Sequence, residues 1–199
     1  MAASALVVID VQNDFCPGGA LAVAGGDEIL PIVNRLVGEH EHVVVTQDWH
    51  PAGHSSFASQ HGGKSPFDNV EMPYGTQTLW PDHCVQGTPG AEFHPALQWE
   101  KAELIIRKGF RRSIDSYSAF FENDHATPTG LNGYLVERGI RKLVMVGLAT
   151  DFCVAFSALD AARLGFAVTV VMEGCRAIDM GGSLGVMTEK MRAAGVTLE

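Results

Sequence analysis

Residues 142–172, KLVMVGLATDFCVAFSALDAARLGFAVTVVM, decide the fold. Lys142 to Val146 is a continuously apolar run, the signature of a strand buried on both faces. Asp151 to Leu164 sets Ala, Val, Phe and Leu on one helical face, and Gly165 stops it. Ala167 to Met172 is again apolar and β-branched. Strand, helix and strand in so short a span form a crossover unit, which makes the two strands parallel and the connection right-handed.

The pattern extends in both directions. Ala5 to Ile9 and His42 to Thr46 read as strands, joined by a helix over Asp27 to Glu39 with Ile29, Ile32, Val33, Leu36 and Val37 on one face. Glu103 to Arg107 is a further strand. Pro128 to Arg138 is a helix ended by Gly139, Leu184 to Ala194 another, and Val196 to Leu198 a short last strand. The expected fold class is α/β, a parallel sheet with helices on both sides. Residues 49–100 lie outside the alternation. A long irregular segment in a compact domain is usually functional. No repeat, low-complexity tract or linker divides the chain, so one domain over 1–199 is expected.

The 199 residues are 46% hydrophobic and 19% charged, a globular balance. A net charge of −9 opposes binding to phosphate backbones and anionic membranes, so no nucleic-acid or membrane partner is expected. No run approaches the ~20 apolar residues of a membrane span. The N-terminal stretch lacks the basic start of a secretory signal. Cys16, Cys84, Cys153 and Cys175 are widely spaced with no CxxC pair, which points to free thiols in a cytoplasmic protein.

In open α/β sheets, ligands bind beyond the carboxyl ends of the strands, near the switch point. Four strands deliver reactive groups there: Asp10, then Asp48 with His50, then Lys108, then Ala149-Thr150-Asp151-Phe152-Cys153. Cys153 falls in the first turn of the expected helix, with Thr150 or Asp151 as N-cap. Free N–H groups and the helix dipole there lower a thiol pKa. Taken alone, a free cysteine is more often a small core hydrophobe; the company of Asp10 and Lys108 shifts the balance toward a nucleophile. Asp10 can accept the thiol proton and return it to a leaving amine. Lys108 can pair with the thiolate and keep Asp10 ionised. N–H groups near Ala149 and Cys153 can form an oxyanion hole. Asp48 and His50, two apart on an extended segment, point the same way. With His83, and with His54 nearby, they form a donor set for one divalent ion (Zn, Fe or Mn), although a lone DxH is a weak signal.

Four blocks, ALVVIDVQNDF, DWHPAGHSSFAS, LWPDHCVQGTPGAEFHP and GLATDFCV, together resemble the nicotinamidases (pyrazinamidases) of the isochorismatase-like cysteine hydrolases. The resemblance spans most of the chain. It implies a three-layer α/β/α fold with a six-stranded, mostly parallel, doubly wound sheet. It further implies hydrolysis of nicotinamide, and of pyrazinamide, through a cysteine thioester, feeding pyridine-nucleotide salvage. By the same resemblance Asp10, Lys108 and Cys153 are catalytic, and Ala149 and Cys153 form the oxyanion hole. Asp48, His50 and His83 are metal ligands, within 49–100. Phe15 and Trp80 sandwich the ring; Tyr117 and Leu148 line the pocket; the Leu148–Ala149 peptide is cis. Self-association, most simply a dimer, is also implied. His54 is a further local ligand candidate. Two rival readings are a related hydrolase acting on another amide, a carbamoyl group or a vinyl ether, and a non-catalytic metal- or ligand-binding protein. A dinucleotide-binding site is excluded because no GxGxxG follows the first strand.

Overall fold

A computed structural model of the chain describes residues 3–199. The strands are β1 (Ala3–Ile9), β2 (His42–Asp48), β3 (Asn69–Met72), β4 (Gly75–Thr78), β5 (Leu104–Lys108), β6 (Ile140–Leu148), β7 (Ala167–Arg176) and β8 (Thr197–Leu198). The helices are α1 (Leu30–Glu39), α2 (Leu131–Glu137), α3 (Ala155–Arg163) and α4 (Ser183–Ala193). Six strands form one sheet in the order β5-β2-β1-β6-β7-β8, and every ladder in it is parallel. Two hydrophobic layers sandwich it. Val7, Ile9 and Met145 face Leu135, Ala158 and Met191 on one side. Leu6, Val8 and Val45 face Val33, Leu36 and Trp80 on the other.

β1 and β2 are buried almost without interruption, as continuous apolar runs require. β5 departs from the expectation of burial on both faces: Ile105 and Arg107 are exposed. The reason is position, since β5 is the sheet edge. The expected helix at Asp27 starts as a 3₁₀ turn over Gly26–Ile29, and the α-helix proper begins at Leu30, where Pro31 sits in the first turn. Residues 49–100 contain an unexpected antiparallel hairpin, β3–β4. Its strands are short and half-exposed, so they carry no hydrophobic run to read. No helix among the described residues is long and apolar enough to cross a membrane.

The chain departs from β1 toward β2 on one side and returns to β6 on the other. The crevice at this switch point lies between the ends of β1 and β6. Asp10 follows β1 at φ 49°, and the Leu148–Ala149 peptide at the end of β6 is cis.

Candidate active site

Asp48 and Lys108 are cross-strand partners at the ends of β2 and β5. The lysine side chain runs past Asp48 toward β1. Its Nζ lies 2.9 Å from Asp48 Oδ1 and 2.7 Å from Asp10 Oδ2. It also donates to the Ser116 carbonyl at 3.1 Å and sits 3.4 Å from Cys153 Sγ. Lysine is seldom buried unless paired; here it is 1% exposed, held by two carboxylates. Burial alone would lower the Lys108 pKa, but Asp10 and Asp48 hold it well above the ordinary value. The ammonium form is therefore favoured at neutral pH. Asp10 is wholly buried and accepts a 2.6 Å hydrogen bond from Thr46 Oγ1. Burial pushes its pKa up; Lys108 opposes this, while Asp48 adds to it. The Cys153 thiol is raised well above its ordinary value, first by burial and then by the carboxylates, against the pull of Lys108.

That last direction overturns the expected lowering by a helix N-terminus. Residues Thr150–Val154 form a π-helical turn, and the α-helix begins only at Ala155. Neither Thr150 nor Asp151 is the N-cap; Ala149 occupies that place without a side-chain bond. The Asp151 carboxylate instead accepts from the Ile178 and Asp179 N–H groups at 3.0 and 2.8 Å, and from Ser183 Oγ. It thereby ties the Cys153 turn to the segment before α4.

Asp48 joins this cluster to a second one. Its Oδ2 lies 3.0 Å from His50 Nε2 and 3.3 Å from His83 Nε2. His50 Nδ1 is 2.9 Å from the Gly109 carbonyl, and His83 Nδ1 is 2.8 Å from the Pro81 carbonyl. A carbonyl only accepts, so each Nδ1 carries the proton and each Nε2 faces the carboxylate. The donor atoms of Asp48, His50 and His83 lie within 4.8 Å of one another, and all three residues are buried. One carboxylate and two imidazoles, oriented by carbonyls behind them, fit a divalent transition metal. Burial alone would raise the Asp48 carboxyl; His50 and Lys108 overcome it and hold it well below the carboxylate range. His54 lies outside this set. Its Nδ1 pairs with Ser56 Oγ at 2.8 Å, and its Nε2 with the Arg111 and Ile114 carbonyls at 2.9 and 3.1 Å.

A cavity opens beside both clusters, lined by Phe15, Trp80, His83, Tyr117, Ala149 and Cys153, among others. Leu148, expected to line the pocket, does not reach the cavity; it is wholly buried in the core layer, where an apolar residue at the end of a central strand is drawn. Trp80 Nε1 donates to Tyr117 Oη at 3.1 Å, and Phe152 meets both rings edge-on. Sequence reasoning did not select Leu21, Asp115, Phe152 or Ile178, which also line the cavity. Phe152 sits beside Cys153 and was open to selection on that ground. Leu21 and Ile178 come from loops whose approach depends on the tertiary fold.

A doubly wound parallel sheet with ionisable groups converging at its switch point is an α/β protein with a built site, and comparison with known proteins gives its family. The isochorismatase domain family matches residues 4–198, and the chain belongs to that family. A nicotinamidase of Acinetobacter baylyi is 59% identical over 192 residues, covering 96% of this chain and 90% of that protein. A nicotinamidase/pyrazinamidase structure from Acinetobacter baumannii superposes with a TM-score of 0.98 at 57% identity, covering 100% of this chain and 96% of that one. A Pyrococcus horikoshii pyrazinamidase, solved in complex with zinc, superposes with a TM-score of 0.80 at 36% identity, covering 98% of each chain.

Proposed function

We propose that this chain is a nicotinamidase, hydrolysing nicotinamide to nicotinate and ammonia and accepting pyrazinamide. The observation that carries the reading is the placement of Cys153 Sγ 3.4 Å from Lys108 Nζ, itself 2.7 Å from Asp10 Oδ2, beside an aromatic-walled cavity. The relatives' activities agree with it.

Phe15 and Trp80 bracket the heteroaromatic ring, with Tyr117 completing the wall. Asp48, His50 and His83 would hold one divalent metal (Zn, Fe or Mn), which would supply Lewis acidity beside the ring. The raised thiol pKa means that Cys153 rests protonated, so it needs a base. Asp10, itself raised, takes the Sγ proton as sulfur bonds to the carboxamide carbon. The oxygen that gains charge is received by the Ala149 and Cys153 N–H groups. Asp10 returns the proton to nitrogen, the C–N bond breaks and ammonia leaves. A thioester remains. Asp10 then deprotonates a water, whose oxygen displaces sulfur; Asp10 returns that proton to the departing Cys153 sulfur, and the acid formed releases its own proton to solvent as nicotinate. Lys108 stays protonated throughout and stabilises the anionic partners on either side.

The reading includes one catalytic domain over 1–199, with 49–100 supplying metal ligands, in a cytoplasmic enzyme that self-associates as a dimer. Ammonia release from nicotinamide, pyrazinamide and a carbamoylated amine tests the substrate class. Turnover of the carbamoylated amine alone would favour the related-hydrolase reading. Binding of nicotinamide without any product would favour a non-catalytic one.

A further inference from the structure

Gln77, on β4 of the hairpin that the sequence did not announce, is 1% exposed and sits at the junction of the aromatic wall and the metal-side cluster. Its amide orientation is settled by its neighbours. Three acceptors crowd Nε2, which has two hydrogens to share among them: Thr78 O at 2.7 Å, Tyr117 Oη at 2.8 Å and Asp115 Oδ2 at 3.0 Å. Two donors face Oε1: Tyr74 Oη and Asn123 Nδ2, each at 3.2 Å. Asn123 in turn receives the Tyr117 backbone N–H at 3.0 Å. The hub therefore grips Tyr117 at both its hydroxyl and its main chain.

The consequence lies in the proton count at Tyr117. A phenol has one hydrogen to give and two lone pairs to accept with. Gln77 Nε2 and Trp80 Nε1 cannot accept, so neither takes the Tyr117 proton. Among the described residues, none accepts the Tyr117 proton in return. A polar hydrogen without a partner is costly once water is displaced, and the half-buried Tyr117 lines the cavity that a ligand would fill.

We infer that Gln77 is a positioning residue. Together with Trp80 it commits the Tyr117 hydroxyl to act as a neutral hydrogen-bond donor toward an acceptor atom of the bound heteroaromatic amide. Gln77 does not touch the reacting atoms. Asp115 completes the hub, 3.9 Å from His50 Nε2, so one amide joins the wall that grips the ring to the metal side. The inference deepens the nicotinamidase reading and rests on it.

The test uses the metal-loaded full chain carrying Gln77→Met, Tyr117→Phe or both, with thermal melting to confirm folding. Each single variant should raise KM for nicotinamide about tenfold, the scale of one hydrogen bond, and leave kcat within about twofold. In a Cys153→Ala background, calorimetry should show the same loss in nicotinamide Kd. The double variant should be no worse than either single one, because both remove the same directed proton. Additive losses, unchanged Kd in Tyr117→Phe, or a fall in kcat at constant Kd would each overturn the inference. Should Gln77→Met not fold, Tyr117→Phe alone still decides through KM and Kd. A wild-type enzyme that releases no ammonia from nicotinamide overturns the functional reading and this inference with it. Normal wild-type turnover with unaltered variants overturns this inference alone.

Discussion

Cys153 and Lys108 illustrate how much one contact depends on burial. The thiol is raised by desolvation and nearby carboxylates, so its reactivity requires Asp10 as a base and does not come from a standing thiolate. Cys153→Ala should reduce ammonia release by about 10⁴-fold or more while the melting temperature changes little. Lys108→Met should be more damaging to the fold than to any single contact. It would leave Asp10 buried with no cation and Asp48 with only the His50 and His83 imidazoles, a change that typically costs about 3–5 kcal/mol; urea denaturation measures it. The sign of the pH effect follows from the direction of the shift. Because the folded Lys108 pKa lies above its unfolded value of roughly 10.4, its contribution is complete below that pH and is lost as pH rises through the folded value. Asp48 acts at the other end. Its folded pKa is depressed, so its contribution is present above about pH 3.9 and lost as pH falls through the folded value. Denaturation of the metal-stripped protein at both extremes should show these two losses, and Lys108→Met should lack the alkaline one.

At the scale of elements, the end of each strand matters more than its interior. Gly109, just past β5, has φ 65°, and a Cβ there would lie 2.4 Å from His50 Cε1 and 2.7 Å from its Nδ1. The same residue's carbonyl orients His50. Gly109→Ala should displace the imidazole and weaken metal affinity by about 10–100-fold, measured by competition with a chelating dye. Asp151 has a comparable role in the π-helical turn, where its carboxylate gathers three donors from Ile178, Asp179 and Ser183. Asp151→Ala should cost about 1–3 kcal/mol and increase amide exchange at residues 178–183, which mass spectrometry would register. An unchanged exchange pattern would mean that this carboxylate does not hold the segment. The β3–β4 hairpin shows the limit of periodicity. Its four-residue strands expose most of their side chains, so Gln77 is buried by its neighbours and not by any pattern in its own strand.

For the whole molecule, metal binding and stability are linked. If Asp48, His50 and His83 share one ion, adding Zn²⁺ to chelator-treated protein should raise the melting temperature. The stabilisation is about 2.7 kcal/mol when free metal is 100 times its Kd. It should fade as the pH drops below about 6, where imidazoles bind protons instead. Stripped protein that melts like the treated one, and turns over nicotinamide with the same KM, would remove the metal from the account.

The positions of the main-sheet strands, the helices and the short list of reactive residues were legible in the chain itself. Apolar runs reveal strands buried on both faces, and ionisable groups at their ends stand out against them. Asp10, Asp48, Lys108 and Cys153 could therefore be named before any coordinates, as could His50 and His83 with the help of the family resemblance. Distances between these groups were not legible, because they belong to segments far apart in sequence. The thiol's direction of shift was misjudged for the same reason: helix-terminus chemistry is local, whereas desolvation and the Asp10 and Asp48 charges arise only on packing. His54, Asp151 and Gln77 took their partners from the tertiary fold too. A sequence specifies which groups are available and which faces are apolar; the solvent exclusion and proton sharing that assign their roles exist only once the sheet, its loops and its hairpin have closed around them.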